Sequence, residues 1–589
     1  MNWITPTDRS SARSYGQGAL PTSLRGLERL LIPRAPGIFR HRAMSSKIED
    51  ANAADEKQQI IPENARIVEA ANTKLALALA TGPHLSPFST RSIQLYLILL
   101  VAFMGSMANG FDGSVMSAVN GMDQYLAYFH ISGTDSGGGV GSTTAIIFGI
   151  YSIGSIVSVP VAGPVADRFG RRGGMFLGSL IIVIGSLSVT TAKNISALLG
   201  GRFVLGLGVG IVQTACPSYV VEMAPPQWRG RLTGLFNTFY YAGSILCTGI
   251  AIGTGSIQST RSWRAPLAIQ LVGAGILLIF SLLLPESPRW LLSVGRKEEA
   301  LHILARYHGN DDPNSPLVQL EWAEFEESIK LDASDKRWWD YSGLVKTPNA
   351  RYRTFLMLLM AFFGQWSGNG LGYYLTILFG NAGVQSQHAR LVLNFVNTLV
   401  SAAGALIGTS LTDKVGRRKM WFWGTLGSAG MLAVVTGCTA KWGKSGSNPA
   451  GANSAIAFIF LFGFVYSLAY TPLQALYPAE VLDYNTRAKG MAMYALGVSC
   501  ASFVNAYAGP IALQRIGWKY YIVYVAWDLF ECVVIWFCVV ETRGRTLEEL
   551  NEIFEDPHPV QASLRKDRVA VVEEAGGIHA VPMAKEDSV

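Results

Sequence analysis

Apolar residues occur along this chain in blocks of about twenty, separated by short polar turns and by one long polar stretch. "SIQLYLILLVAFMGSMANGF" starts at Ser92, "GMFLGSLIIVIGSLSVTTA" at Gly174 and "APLAIQLVGAGILLIFSLLL" at Ala265. A helix rising about 1.5 Å per residue needs about twenty residues to cross a roughly 30 Å hydrocarbon layer, and a buried helix of a soluble protein is usually shorter. The pattern predicts twelve spans, at 94–120, 143–166, 174–193, 198–222, 232–254, 264–284, 354–380, 388–412, 419–439, 455–480, 489–511 and 518–540. Backbone groups facing lipid must be satisfied within the segment, so these are helices, and the many glycines let them approach closely or bend.

Composition agrees with this reading. Half of the residues are apolar, 15% are charged and 62 are glycine, the balance of a polytopic membrane protein. The stretch from Pro285 to Arg353 and the short turns near 167–173, 225–231, 414–419 and 487–489 are rich in Lys and Arg, whereas 121–142 has neither. By the positive-inside rule the basic turns and both termini face the cytoplasm. The net charge of +7 then implies no nucleic-acid partner. The six cysteines lie in or beside apolar helices without metal-ligand spacing, so packing is their expected role.

The predicted organisation is a cytosolic, mostly disordered tail over 1–93, a six-helix bundle over 94–284, a cytosolic loop with short helices over 285–353, a second six-helix bundle over 354–540 and a cytosolic tail over 541–589 that is polar and disordered. Residues 1–43 hold seven arginines and two acids. They resemble a mitochondrial targeting segment only on the surface, and are read as a disordered tail or as an extension upstream of a working start at Met44.

The two halves repeat. "VADRFGRR" at 165–172 returns as "TDKVGRRK" at 412–419; "YVVEMAPPQWRGR" returns as "YPAEVLDYNTRAKG" from Tyr477; and "PESPRW" from Pro285 has its counterpart in "VETRGR" from Val540. Six helices plus six, joined by a long cytosolic loop, give two bundles related by an axis along the membrane normal, with substrate bound between them near the midplane. With "GQWSGNGLGYY" at 364–374 and "VETRGRTLEE", the motifs, in order, resemble the sugar porter family of the major facilitator superfamily over roughly 90–555. The resemblance implies an all-α membrane protein with twelve transmembrane helices in two six-helix bundles.

Several roles follow from the resemblance. Gly170 and Gly416 bend the short cytosolic turns. Around them Asp167, Arg168, Arg171, Arg172, Asp413, Arg417 and Arg418 would form a cytosolic gate with Glu222, Arg229, Glu286, Arg289, Glu480, Arg487, Glu541 and Arg543, the guanidinium forks holding the carboxylates bidentately. Asp112, inside the first span, is an intramembrane acid and so a functional candidate. In proton-coupled members an acid and an arginine stand where Asp112 and Arg202 stand, the acid binding the proton and its protonation releasing the arginine.

A sugar needs hydrogen-bonding side chains and aromatic faces. Gln365, Trp366, Ser367, Asn369, Tyr373 and Tyr374 lie in the seventh span, which supplies the main sugar-contacting amides in the family; Gly364 replaces the first family glutamine, and Asn369 falls one residue early. Asn237 stands where the fifth span commonly has glutamine, and Asn397, Gln474 and Asn505 are further polar residues within spans. Tryptophans of hexose carriers correspond to Ala475 and Ser499, which predicts a larger cavity. Together with a likeness to fungal lactose-permease-type members, this favours a disaccharide.

The expected function is a proton-coupled importer of a disaccharide such as lactose or cellobiose, working by alternating access in the plasma membrane as a monomer, with sugar, proton and membrane lipid as its partners. A hexose or pentose carrier, by symport or facilitated diffusion, and a non-transporting sugar sensor are the alternatives. No cofactor, metal or enzyme activity is expected: there is no P-loop and no nucleophile with a base, and "GLGVG" lies inside a span.

Overall fold

The protein is described by a computed structural model. It covers residues 66–67, 85–131, 140–334, 341–442, 449–483, 486–543, 545, 547–565, 569–574 and 577–582, without the side chains of 66–67, 327–334, Asp413, Pro449, Ala452, Ala475, Ala488, 547–549, 569–574 and 577–582. Residues 1–43 and the start at Met44 lie outside the described residues. The chain divides into two units, Ile67–Val569 with Pro582–Val589, and Met1–Arg66 with Ala570–Val581. Three short strands, β1 (Arg66–Ile67), β2 (Val569–Glu574) and β3 (Gly577–Pro582), form a sheet in the order β1-β2-β3. All that follows concerns the first, helical unit.

That unit is an all-α membrane protein of twelve spans in two six-helix bundles. The first span is Thr90–Val119. The second and third share Ser142–Thr190, divided at Gly170, and the fourth, fifth and sixth are Ile195–Met223, Pro226–Gly255 and Arg261–Ser281. The seventh is Pro348–Trp366 continued by Asn369–Gly372 and Leu375–Asn381, and the eighth to twelfth are Gln387–Val415, Arg417–Trp442, Pro449–Val481, Arg487–Ile516 and Tyr520–Cys538. Among the described residues eight helical segments are long and apolar enough to cross a membrane, and the two longest, Ser142–Thr190 and Lys489–Cys538, each hold two spans. The seventh and ninth escape a simple hydropathy test for physical reasons. One is broken at Gly368, and the other is diluted by tryptophan, glycine, serine and threonine.

Two glycines fix the repeated turn. Gly170 (φ +78°) and Gly416 (φ +97°) occupy the left-handed side of backbone space, which a side chain rarely adopts. In addition, a Cβ at Gly416 would lie 2.6 Å from a carboxylate oxygen of Glu541. Each glycine reverses the chain so that the next helix begins with its amides pointing at an acid.

The halves meet through paired spans. A Cβ on Gly149 of the second span would touch Phe503 of the eleventh at 3.2 Å, and one on Gly234 of the fifth would touch Thr409 of the eighth at 3.2 Å. Between the bundles run the loop helices Pro288–Ser293, Lys297–His308 and Pro316–Ser334. The polar C-terminal tail departs from the disorder expected of it. Leu547–Glu555 is a helix that buries Leu550, Ile553 and Phe554 in one cluster with Leu356, Tyr477 and Val539. Those three residues recur at helical spacing inside an acidic segment, so one stripe of it is apolar.

Candidate functional site

The seventh span bends at Gly368 (φ +91°), where a Cβ would lie 2.6 Å from the Phe462 ring. Polar groups gather just before and after this break. Asn369 Nδ2 donates to Gln365 Oε1 at 2.9 Å, Ser502 donates to the same oxygen at 3.0 Å, and Asn505 Nδ2 donates to the Gln365 carbonyl at 2.5 Å. Gln474 of the tenth span donates to the Gly364 carbonyl at 3.0 Å, and the Tyr466 hydroxyl donates to that carbonyl too. From the other half, Asn237 Nδ2 donates to the Thr471 carbonyl at 2.7 Å, and the Tyr241 hydroxyl reaches Ser467 at 2.8 Å. Amides of both bundles thus meet at their interface.

Not every candidate joins this cluster. Trp366 donates its Nε1–H to the Ala501 carbonyl at 3.1 Å and packs edge-on against Trp527. Ser367 turns into the second bundle, to Tyr470 and Glu531. Both were expected to face the ligand, but their polar atoms turn to the second bundle: Gln365 and Asn369, four residues apart, share one face, and the two residues after Gln365 point away from it. Tyr374 donates to the Ala506 carbonyl at 2.8 Å and packs on Phe148, with Tyr373 beside it. Asn397 borders a small separate cavity of about 40 Å³ with Leu371, Phe462 and Tyr521. Gln474 occupies the space that Gly364 leaves: a Cβ there would lie 2.5 Å from its Nε2.

Asp112 is fully buried in the first span. It accepts from Gln270 Nε2 of the sixth span at 2.9 Å, and its second oxygen has no hydrogen-bond partner among the described residues. Arg202 donates to the Ile147 carbonyl at 2.9 Å and lies over the Tyr151 ring, 5.1 Å from its centre. The direct ion pair expected between Asp112 and Arg202 is not formed. The glutamine and the aromatic face take the two charges' places, and Gln270, one amide inside "APLAIQLVGAG", is a residue that sequence reading missed.

The basic turns lie at one end of the bundle and the 121–142 connection at the other. At this second end the halves are bonded together. Ser117 donates to the Gly372 carbonyl at 3.3 Å and Thr376 to the Ser117 carbonyl at 3.0 Å. The Asp123 amide donates to Gln387 Oε1 at 3.1 Å, Gln387 donates to the Gly255 carbonyl at 3.0 Å, and Gly141 donates to the Pro510 carbonyl at 3.3 Å.

At the basic end the arginines pair within their own bundles. Arg171 bonds Glu222 at 2.9 Å; Arg417 holds Glu480 through Nε at 3.2 Å and Nη2 at 2.8 Å. Glu286 and Glu541 are not gripped by guanidinium forks, as expected from sequence, but by main-chain amides. Arg171 N lies 3.0 Å from Glu286, and Arg417 N and Arg418 N lie 2.8 and 3.1 Å from Glu541. These are helix N-termini, whose free amides attract anions, and the positive-φ glycines aim them. Burial pushes the Glu286 carboxyl up, and the amides of Ser287, Arg172 and Arg171 pull it part of the way back. Burial alone would lower Arg171, but the Glu222 carboxylate overcomes it and the net shift is upward.

The remaining gate candidates are spread around this ring. Asp167 lies 3.6 Å from Arg171, Arg172 donates to the Leu282 carbonyl, and Arg418 stacks on Trp536. Arg168 sits by the Phe169 ring, the Arg543 amide donates to Glu541 at 3.0 Å, and Arg487 reaches the Leu482 carbonyl at 3.5 Å. Arg289 stands at the start of Pro288–Ser293, and Asp413 falls outside the described side chains. Arg229 bonds Glu321 at 3.0 Å, and Glu321 also holds His308, whose other nitrogen faces the Met223 carbonyl. This buried triad ties the central loop to the fourth span. Only the basic partner was legible beforehand, since His308 and Glu321 sit in an ordinary polar helical pattern.

Residues 98–554 match a family model described as "Sugar (and other) transporter". The chain is 29% identical to the high-affinity glucose transporter 1 of Candida albicans, over 80% of this chain and 87% of that protein. It is 28% identical to the MFS-type transporter criB of Aspergillus cristatus (79% of this chain, 94% of that one) and 27% identical to the quinate permease of Emericella nidulans (81% and 91%). Among solved structures it superposes on the proton:xylose symporter XylE bound to 6-bromo-6-deoxy-D-glucose with a TM-score of 0.65, at 22% identity, over 79% of this chain and all of that one.

Proposed function

Because the chain belongs to the sugar (and other) transporter family, we propose that it carries a monosaccharide, a hexose or pentose, through the plasma membrane together with a proton, with both termini in the cytosol. The observation that carries this reading is a set of neutral polar groups from both bundles: Asn237 of the first bundle bonds the Thr471 carbonyl of the tenth span, and at the seventh-span break Asn369, Ser502 and Asn505 each bond Gln365. Neutral amides and hydroxyls can both donate to and accept from a polyol, and none of these groups brings a charge that a sugar would have to neutralise.

The disaccharide expected from sequence is given up. It rested on the small residues Ala475 and Ser499 and on a likeness to lactose-permease-type members, whereas the relatives are named for glucose and quinate. Proton coupling is assigned to Asp112. A buried carboxyl separated from Arg202 and bonded to a neutral amide is the arrangement expected once the acid carries its proton. The bonds between the halves at the 121–142 end fit a conformer closed to the outside, and the amide-bound acids at the basic end would stiffen each half as it rocks.

The test is uptake of labelled glucose and xylose in yeast lacking its own hexose carriers, with lactose, cellobiose and quinate as competitors, with and without a protonophore. Glucose or xylose should accumulate, and the protonophore should abolish accumulation. Stronger competition by lactose, cellobiose or quinate than by unlabelled glucose would overturn the substrate assignment. Accumulation that survives the protonophore would overturn coupling, and saturable binding without flux would favour a sensor.

A further inference from the structure

The twelfth span contains two acids, in "WDLFE", that the mechanism above does not use. Asp528 and Glu531 are both 0% exposed. Three residues apart on a helix, they share one face, which is turned into the second bundle rather than toward the interface between the halves. Both oxygens of Asp528 and Oε1 of Glu531 are without a hydrogen-bond partner among the described residues, and no cation there forms an ion pair with either side chain. The titratable groups facing them are Tyr470 of the tenth span and Tyr524 and Cys532 of the same helix. Ser367 of the seventh span and Thr425 of the ninth complete the surroundings. Two uncompensated carboxylates in hydrocarbon are strongly disfavoured, and like charges on neighbouring acids disfavour a second ionisation.

The oxygens around Glu531 add a proton count. Ser367 Oγ lies 2.7 Å from the Phe363 carbonyl and 2.7 Å from Tyr470 Oη, and it also contacts Glu531 Oε2. Tyr470 Oη lies 3.1 Å from that same carboxyl oxygen and 2.6 Å from Thr425, which donates to the Trp421 carbonyl at 2.9 Å. Each hydroxyl brings one proton, and a carboxylate or carbonyl brings none. Three hydroxyls therefore cannot supply all of these contacts. With the Thr425 proton on Trp421 and the Tyr470 proton on Thr425, Ser367 is left to satisfy both the Phe363 carbonyl and Glu531. A proton taken from solvent onto Glu531 Oε2 raises the count to four protons for six contacts and supplies the Ser367–Glu531 contact that this arrangement leaves without one. The acid donates to Ser367, and Ser367 donates to Phe363.

We infer that Asp528 and Glu531 form a second proton-binding site, separate from Asp112, whose occupancy holds the break of the seventh span. The link is Ser367, which caps the helix Pro348–Trp366 immediately before Gly368. Deprotonation withdraws the donor that faces Ser367 and loosens the joint on which Gln365 and Asn369 ride. Only the consequence for sugar rests on the transport reading; the site and its hold on the break do not.

The test uses the full chain in lipid nanodiscs and two measurements that involve no sugar flux. Infrared spectroscopy reads the carbonyl band of protonated carboxylic acids, and hydrogen exchange reads the amides of 363–381. Asp528→Asn and Glu531→Gln, near-isosteric changes, should each remove part of a band that persists in Asp112→Asn and that disappears on alkaline titration. Glu531→Ala should speed exchange in 363–381 several-fold, while Glu531→Gln, whose amide still donates to Ser367, should keep the wild-type rate. An unchanged band in the double variant Asp528→Asn/Glu531→Gln would overturn the site. Retention of radioactive sodium that the double variant loses would replace the proton with a metal cation. Equal exchange in Glu531→Ala and wild type would overturn the hold on the break.

Discussion

The side-chain amide of Gln474 donates to the main-chain carbonyl of Gly364 across 3.0 Å, and it stands where a side chain at residue 364 would have to go. Two positions that looked independent in the sequence, a missing family glutamine and a stray polar residue in the tenth span, are one arrangement. The glycine provides the room and the glutamine uses it.

This pairing predicts a reciprocal pair of variants. Gly364→Gln should push Gln474 off the carbonyl and forfeit a hydrogen bond worth about 1 kcal/mol, weakening sugar binding by roughly fivefold. Gln474→Ala alone should cost a similar amount. The double variant Gly364→Gln/Gln474→Ala should recover most of the loss, because the new glutamine occupies the vacated space. Sugar affinity measured by equilibrium binding on purified protein decides the matter. Additive losses in the double variant would mean that the two residues are not exchanging one site.

Closure at the 121–142 end should depend on Gly121. A Cβ there would come within 2.7–2.9 Å of three side-chain atoms of Thr376, so Gly121→Leu should wedge the first and seventh spans apart. Overpacking of this kind costs about 1–3 kcal/mol, enough to shift a balanced two-state equilibrium heavily toward the open form. The rate of sugar exchange should fall. A cysteine placed by Gln124→Cys should react faster with a membrane-impermeant maleimide from outside in the Gly121→Leu background. Unchanged labelling would show that the contact does not control closure.

Arg417 is nearly buried and makes two bonds to Glu480, whose other oxygen contacts also include the Thr542 hydroxyl. Arg417→Ala removes both of these bonds from the acid, at a cost of about 1–3 kcal/mol, whereas Arg417→Lys keeps the charge and loses the fork. Both should lower the thermal midpoint in detergent, alanine more than lysine, and both should reduce the maximum transport rate with a smaller effect on binding. Arg171→Ala, breaking the matching pair with Glu222, should behave like Arg417→Ala. A selective loss of sugar affinity would place these arginines nearer the ligand than the structure puts them.

The twelve spans, the repeat and the reversed turns at Gly170 and Gly416 could be read from sequence, because membrane length and positive-φ glycine are local constraints that leave local marks. The partners of the charged residues could not. Whether Glu541 meets a guanidinium or the amides of Arg417 and Arg418 depends on the direction in which a helix starts. Whether Asp112 meets Arg202 or Gln270 depends on how three spans are rotated. Trp366 and Ser367 turn instead to Ala501 and to Tyr470 and Glu531, because Gln365 and Asn369, four residues apart, share a face that the residues between them leave, and a residue-by-residue alignment to a motif carries no rotation. Asp528 and Glu531 were visible as acids in an apolar run, but they lay outside every motif that guided the search.

The proton role of Asp112 leads to the sharpest functional prediction. Its buried carboxyl already accepts from the Gln270 amide, and Arg202 is bonded elsewhere, to the Ile147 carbonyl. Asp112→Asn therefore reproduces the shape and neutrality of the protonated acid while removing its ability to release the proton. Such a variant should still exchange sugar for sugar across the membrane, because exchange needs only the reorientation of a loaded carrier. It should fail to concentrate sugar against a gradient, and its exchange rate should lose the pH dependence of the wild type. Gln270→Leu supplies the complementary change. It strips the acid of the Gln270 amide, a donor that favours the charged form, so half-maximal uptake should move to higher pH. Reconstituted vesicles with an imposed proton gradient give both readouts, accumulation and counterflow, on one preparation. Accumulation that remains pH-dependent in Asp112→Asn would remove this residue from the coupling step and leave the pair in the twelfth span as the place to look.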